Sequence, residues 1–324
     1  MDTKERLEQL AHGYQNSVIL LTALQEGLIE AIGRDAHRPA ELAARLELDG
    51  RAVDIVLHAL AAAGVLDRDV DGRFSLPPDN AEVLLPDGAD SQARIFAHHY
   101  DLMRRWVKLD TTLRTGEPVP REQTARKHRN YICGMQDVSR KSSRDVADSI
   151  DMSGARRLLD VGGGPATASL TLAAAYPELE CVVFDLPETV AIAREVIVAS
   201  GLADRVSAVE GDYFADDFGE GFDVVYVSNI VHSIGAEAIA TIYRKAHPAL
   251  VPGGRIMVKD FFLDDDRCSP SFGARFAVNM LVATQQGRAY TRSETIEALG
   301  DAGFDDFEVV DVAKHSQVII GHKS

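Results

Sequence analysis

Apolar residues recur at helical spacing through the first part of the chain. Ser17 to Ile32 predicts one amphipathic helix, Ala40 to Leu46 a short helix behind Pro39, and Arg51 to Ala63 another that Gly64 ends. Val65-Leu66-Asp67 and Arg73-Phe74-Ser75-Leu76 flank the turn Asp71-Gly72 and predict a small hairpin. Helices followed by such a hairpin make a winged helix. From Ser91 to Ile150 the pattern is helical again, with a break at Gly116-Glu117-Pro118-Val119-Pro120. Beyond it the apolar runs shorten into strand-like blocks: Leu158–Val161, Cys181–Asp185, Val206–Glu210, Phe222–Val227 and the turn and strand from Pro252 to Leu263. A chain of 324 residues exceeds one ordinary domain, so one large and one small domain are expected.

Charge narrows what the winged helix does. Met1 to Asp90 holds eight Lys/Arg against seventeen Asp/Glu, a net of −9, and the recognition-helix position offers only Arg51 beside Asp54. A phosphate-reading surface needs the opposite sign, which weighs against a winged-helix transcriptional regulator. The runs Val18-Ile19-Leu20-Leu21 and Ala59 to Ala63 suit burial against a second subunit or, equally, packing within one chain. Ser91 to Ile150 reverses the sign, twelve Lys/Arg against seven Asp/Glu, the usual mark of a solvated face. The formal charge of −16 over the whole chain argues against nucleic acid or an anionic membrane as partner. No apolar run approaches a membrane span, Met1-Asp2-Thr3-Lys4-Glu5 opens no signal peptide, and Cys133, Cys181 and Cys268 are too scattered for a disulfide framework or a zinc site. A cytoplasmic protein without a metal is expected.

Chemistry concentrates where Leu158-Leu159-Asp160-Val161 runs into Gly162-Gly163-Gly164-Pro165-Ala166-Thr167. A buried strand entering a glycine turn and then a helix is a nucleotide-cofactor site, because glycine lets backbone approach a ligand and the helix start presents free N–H groups. A dinucleotide fingerprint counted from Gly162 wants Gly or Ala at position 167, where Thr167 stands. Asp160, Gly162, Gly164 and Ala166 instead resemble the acidic-x-Gly-x-Gly-x-Gly motif of class I S-adenosylmethionine (SAM) methyltransferases. Asp185, about twenty residues on, suits the two hydroxyls of a ribose; alternatively it caps the helix that begins near Pro187. Gly211-Asp212-Tyr213-Phe214 follows the third strand, and Ser228-Asn229-Ile230-Val231-His232 follows the fourth.

With Pro252–Leu263, Asn279-Met280-Leu281-Val282, Gly287 to Thr291 and Ala302-Gly303-Phe304, nearly the whole chain resembles the plant caffeate-type and bacterial small-molecule O-methyltransferases that carry an N-terminal dimerisation domain. The resemblance implies a doubly wound α/β sheet, parallel except for a last antiparallel hairpin from Phe307 to Val312 and Gln317 to Gly321. It implies a winged-helix dimerisation domain over 1–90, a helical connector lining the substrate pocket over 91–150, and a SAM-binding domain over 151–324. Methyl transfer to a hydroxyl of an aromatic or polyketide-like small molecule follows, with S-adenosylhomocysteine as product and a homodimer as the assembly. Cofactor contacts would come from Ser139, Asp160, Gly162, Gly164, Asp185, Leu186, Asp212, Tyr213, Phe214, Ser228 and Asn229. Acceptor contacts would come from Tyr131, Met135, Phe276, Met280 and Thr284. Tyr131, Met135 and Ser139 share one helical face by spacing, an arrangement that core packing also explains.

His232 matches the family's general base. A phenol with a pKa of roughly 10 is mostly neutral at pH 7, so taking its proton raises its nucleophilicity. The other histidines (His12, His37, His58, His98, His99, His128, His247, His315 and His322) have no special context. Plant relatives orient the base with two acidic residues. Asp260 matches one of them, or caps the end of the fifth strand; the other falls near Ala289-Tyr290, where no carboxylate stands, and His232-Ser233-Ile234 replaces the frequent His-Asp-Trp. C- or N-methylation, or SAM binding without transfer, are the rival readings on the same scaffold.

Overall fold

In the computed structural model, which describes residues 2–120 and 124–324, the chain divides into two units, Met1–Arg104 and Arg105–Ser324. The first unit contains α1 (Thr3–His12), α2 (Tyr14–Gln25), α3 (Leu28–Ile32), α4 (Pro39–Leu46), α5 (Gly50–Ala62), β1 (Asp67–Arg68), β2 (Phe74–Ser75), α6 (Pro78–Leu84) and most of α7 (Ala93–Trp106). The apolar stretch from Ser17 to Ile32 is not one helix, because Gly27 adopts φ 75° and separates α2 from α3. Pro39 opens α4, and the Asp49 carboxylate accepts from Ala52 N at 2.8 Å to cap α5. The wing is short, two antiparallel residue pairs, and backbone bonds between His37 and Phe74 (2.9 and 2.8 Å) extend it. Phe74, Leu42 and Leu57 are fully buried at its centre. Each apolar side chain of that size contributes about 1.5–3 kcal/mol by leaving water.

The second unit adds α8 (Leu109–Thr115), α9 (Ala125–Ser149), β3 (Arg157–Val161), α10 (Thr167–Ala175), β4 (Glu180–Asp185), α11 (Pro187–Ser200) and β5 (Val206–Glu210). It continues with β6 (Phe222–Ser228), a 3-10 turn (Val231–Ser233), α12 (Ala236–Ala249), β7 (Leu250–Asp260), α13 (Ser271–Ala283), α14 (Arg292–Asp301), β8 (Asp305–Ala313) and β9 (Ser316–His322). Its strands form one sheet in the order β5-β4-β3-β6-β7-β9-β8, parallel from β5 to β7 and antiparallel through the final hairpin. Side chains alternate between two cores. Leu159, Val161, Val225, Val227, Ile256 and Val258 meet α12 and α14, while Leu158, Val224, Tyr226 and Met257 meet Val146 of α9 and Leu172 of α10. The connections leave β3 toward β4 on one side and reach β6 on the other, so a crevice opens at the carboxyl ends of β3 and β6. Open α/β sheets bind ligands at such a reversal.

Candidate active site

The glycine turn after β3 is built around Asp160. That side chain is 1 % exposed; one oxygen accepts from Ser169 Oγ at 2.7 Å, and the other, Oδ1, is buried with no hydrogen-bond partner. Burial pushes its carboxyl up to about 6, the Ser169 hydroxyl offsets part of the rise, and the nearby Asp185 charge adds to it. Gly163, absent from the motif's glycine positions, is required here, because a Cβ on it would lie 2.6 Å from the Asp160 carboxyl carbon. Gly162 and Gly164 stand at φ 66° and 56°, and Ala166, in the last glycine position of the motif, at φ 63°.

Asp185, at the end of β4, closes the same turn. Its Oδ2 accepts from Gly164 N at 2.9 Å and its Oδ1 from Leu186 N at 2.7 Å. It does not cap the following helix: Leu186 is the N-cap of α11, without a side-chain cap, and Pro187 is the first helical residue. Burial raises the Asp185 carboxyl, while the backbone donors and Thr189 oppose the rise. His128 also acts on it, with Nε2 3.3 Å from Thr189 Oγ1, a contact with no signal in a lone histidine on a polar helix.

After β5, the Asp212 carboxylate accepts from Phe214 N at 2.8 Å, and the Tyr213 and Phe214 rings meet edge to face at 4.5 Å. Lys245 of α12 holds this turn from beneath, donating to the Phe214 and Asp216 carbonyls at 2.9 Å each. Nothing in the spacing of the sequence distinguishes Lys245 from a surface lysine. At the end of β6, burial raises the Tyr226 hydroxyl and the nearby Ser228 side chain opposes that rise. Asn229 turns to φ 57°, gives its N–H to the Lys259 carbonyl at 2.9 Å and leaves its buried Oδ1 without a partner.

His232 and Asp260, 28 residues apart, meet because β6 and β7 are paired in register, Ser228 opposite Lys259. His232 Nδ1 lies 2.7 Å from Asp260 Oδ1, and the same carboxylate accepts from His232 N at 3.2 Å and Phe261 N at 2.8 Å. Asp260 therefore both contacts the ring and ends the strand. An ionised carboxylate only accepts, so the proton on this ring sits at Nδ1 and the Nε2 lone pair is free. Phe276 presents its edge to the imidazole at 4.8 Å, and Phe261, which the sequence does not single out, lies 4.7 Å from Phe276. Among the described residues no second carboxylate is found against the His232 ring. Instead Tyr290 donates to the Ile234 carbonyl at 2.8 Å, with Arg288 over its ring, and pins the backbone behind the His232 turn.

The remaining expected contacts divide. Tyr131 and Met135 are half-buried on α9, and Ser139 donates to the Met135 carbonyl at 2.6 Å within the same helix. Met280 is buried. Thr284 donates to the Met280 carbonyl at 2.8 Å and accepts from Gly287 N at 2.9 Å, closing the end of α13. Among the described residues no His, Cys, Asp and Glu group could hold a metal ion, and no helix is long and apolar enough to cross a membrane.

Residues 119–305 match the model of the O-methyltransferase domain. The chain is 32 % identical over 318 residues to 3-hydroxy-5-methyl-1-naphthoate 3-O-methyltransferase of Streptomyces sahachiroi, covering 94 % of this chain and 90 % of that one. It is 28 % identical to the tetracenomycin polyketide synthesis 8-O-methyl transferase TcmO of Streptomyces glaucescens, over 97 % of this chain and 95 % of that one. The solved structure of PigF with SAH superposes over both full chains with a TM-score of 0.89 at 25 % identity; PigF of Serratia is a SAM-dependent methyl transferase.

SAM fits the residues present. Two buried oxygens, on Asp160 and Asn229, face the crevice end of the sheet without partners, as they must if a bound group is to supply them. A Cβ on Gly162 would lie 2.5 Å from Ile230, and one on Gly211 would lie 2.2 Å from the Phe184 ring, so only glycine lets the backbone pack this closely against those side chains at this edge. Asp185 would take the ribose hydroxyls, Asp212 to Phe214 the adenine, and Asp160 with the glycine turn the methionine end.

Proposed function

Because this chain belongs to the O-methyltransferase family and uses SAM, we propose that it methylates a hydroxyl of an aromatic or polyketide-like small molecule, with His232 as general base. The contact of 2.7 Å between His232 Nδ1 and Asp260 carries the reading, since it leaves Nε2 as a free base at the carboxyl end of β6. When bound, the cofactor supplies a methyl group already activated by its sulfonium charge. The chain has two tasks left. Phe261 and Phe276 offer aromatic faces and edges beside the imidazole, walls for a planar acceptor. His232 Nε2 then accepts the acceptor's hydroxyl proton as the oxygen takes the methyl, and Asp260 stabilises the imidazolium so formed. The relatives named for 3-O-methylation of a hydroxynaphthoate and for 8-O-methyl transfer in tetracenomycin polyketide synthesis support a hydroxyl as the acceptor.

His232→Ala is the test. SAM affinity by calorimetry should stay within about twofold while single-turnover methyl transfer to a phenolic acceptor falls roughly a hundredfold to ten-thousandfold, the range of a positioned base. The loss should shrink as pH approaches the acceptor's own pKa. Undiminished transfer at neutral pH removes the base.

The first unit is the dimerisation domain in this reading. Helix α1 has no buried residue and exposes Leu7 and Leu10, while Tyr14 at the start of α2 is 63 % exposed. A ten-residue helix is marginal in water without a packing partner, which a second copy would provide. Leu10→Glu should lower the mass by light scattering from dimer toward monomer, and a monomeric parent protein at micromolar concentration refutes the assignment. Free thiols at Cys133, Cys181 and Cys268 are in keeping with a cytoplasmic location.

A further inference from the structure

Between α13 and α14 the chain runs without regular structure from Thr284 to Tyr290, and there it grips the His232 turn at two points. The first is Gly287. A Cβ on it would lie 2.5 Å from the His232 carbonyl oxygen and 2.4 Å from Thr284 Oγ1, so bare backbone packs straight onto the residue that carries the imidazole. The second is Tyr290, 6 % exposed, whose hydroxyl donates to the Ile234 carbonyl at 2.8 Å. Tyr290 also reaches the segment that leaves β7 after Asp260: its own carbonyl accepts from Leu263 N at 2.9 Å, and Arg292 N donates to the Leu263 carbonyl at 3.1 Å. Both grips are anchored in turn. Thr284 Oγ1 accepts from Gly287 N at 2.9 Å. Glu294 takes two hydrogen bonds from Arg288, at 2.9 and 3.0 Å, and one from Thr291 N at 2.8 Å, and Arg288 lies 4.0 Å over the Tyr290 ring.

We propose that Tyr290 and Gly287 are positioning residues for His232, one clamp that holds the turn bearing the base against the strand end bearing Asp260. The inference rests on His232 acting as the base. Pairing of β6 with β7 stops at Ser228 and Lys259, so the sheet ladder does not fix the residues around His232. The turn has bonds of its own, Ser233 N and Ser233 Oγ to the Ile230 carbonyl at 2.9 and 2.7 Å. These are local and set its shape, not its place. Placement comes from the Asp260 carboxylate, which takes His232 N at 3.2 Å, and from the segment 284–290 on the far side. Tyr290 ties both partners at once, the base turn through its hydroxyl and the strand end through its carbonyl. Burial raises the phenol, so the hydroxyl stays a donor at neutral pH. A base must lie within hydrogen-bond reach of the proton it takes, and a misplacement of about 1 Å can cost roughly a hundredfold. Holding the turn therefore governs rate without any contact to the reacting atoms.

Double-mutant cycles on the full chain test this. Tyr290→Phe deletes one hydroxyl and keeps the buried ring, and Gly287→Ala sets a methyl group against the His232 carbonyl. Single-turnover methyl transfer at saturating SAM is measured with the phenol that the parent methylates fastest, for each variant alone and combined with His232→Ala. Tyr290→Phe should lower the rate by about threefold to thirtyfold, and Gly287→Ala by roughly tenfold or more. SAM affinity by calorimetry should stay within about twofold, which places the loss in the transfer step. On the His232→Ala background the same changes should cost less than about twofold, because a clamp acts only through the ring it places. A role in general stability would lower both backgrounds alike. If Gly287→Ala does not fold, Tyr290→Phe decides alone. Equal losses with and without His232, or undiminished transfer in Tyr290→Phe, overturn the inference, while a large loss in His232→Ala leaves the base assignment standing. Full activity in His232→Ala overturns both.

Discussion

Replacing Asp160 by Asn separates what the fold prefers from what the cofactor site needs. Asp160 is 1 % exposed, and burial lifts its carboxyl from 3.8 to about 6 despite the Ser169 hydrogen bond at 2.7 Å. The folded chain thus binds a proton that the unfolded chain has released between about pH 4 and pH 6. The stability this group contributes is present below the unfolded value and lost as pH rises through about 6. A shift of about two units corresponds to about 3 kcal/mol at neutral pH. Asn removes the charge and keeps an acceptor for Ser169. It also puts an NH2 where Oδ1 has no partner, a cost of about 1–2 kcal/mol. Urea melts without cofactor should therefore show Asp160→Asn more stable than the parent by about 1–2 kcal/mol at pH 7.5, with no gain at pH 4. SAM affinity at pH 7.5 should fall about tenfold or more, because a charged acceptor for the cofactor's ammonium is lost. A stability difference independent of pH would refute the reasoning.

Asp185→Ala should weaken SAM by roughly tenfold or more in calorimetric titration, since the site loses a charged acceptor and the Gly164 turn loses its tie; unchanged affinity would remove the ribose assignment. Asp260→Asn should cut single-turnover transfer by roughly tenfold to a thousandfold, because the amide can donate to Nδ1 and shift the proton to Nε2; a loss under threefold counts against the orienting role. Gly163→Ala forces a methyl group against the Asp160 carboxyl at 2.6 Å and should lower thermal stability by several degrees, with SAM affinity reduced in parallel. Burial pushes the Cys181 thiol up to about 12, so a thiol reagent at pH 8 should label the exposed Cys268 in the folded chain and leave Cys181 untouched until denaturant is added.

The strands of the second unit are legible because their cores alternate side by side, and blocks such as Leu158–Val161 carry little besides apolar residues up to the polar one that ends them. The glycine turn is legible for a local reason too, since φ values near 60° at Gly162 and Gly164 need residues of that kind at those positions. What escapes sequence reading is set by partners far along the chain. Gly27 breaks a helix whose apolar period continues across it, so periodicity alone joins α2 to α3. Thr284 closes the end of α13 with its own hydroxyl, donating to the Met280 carbonyl and accepting from Gly287 N, local bonds that the residue type alone does not announce. Lys259 reads as an interruption in an apolar strand, yet it is 2 % exposed, flanked in register by Ser228 and Val318. The same register brings Asp260 to His232 across 28 residues, and Tyr290 behind them to the Ile234 carbonyl. A side chain one methylene shorter than glutamate holds the imidazole here because β6 and β7 stay in register up to Ser228 and Lys259, and the Asp260 carboxylate takes the His232 N–H as well as facing the ring, so the turn itself sits close enough to replace the missing reach.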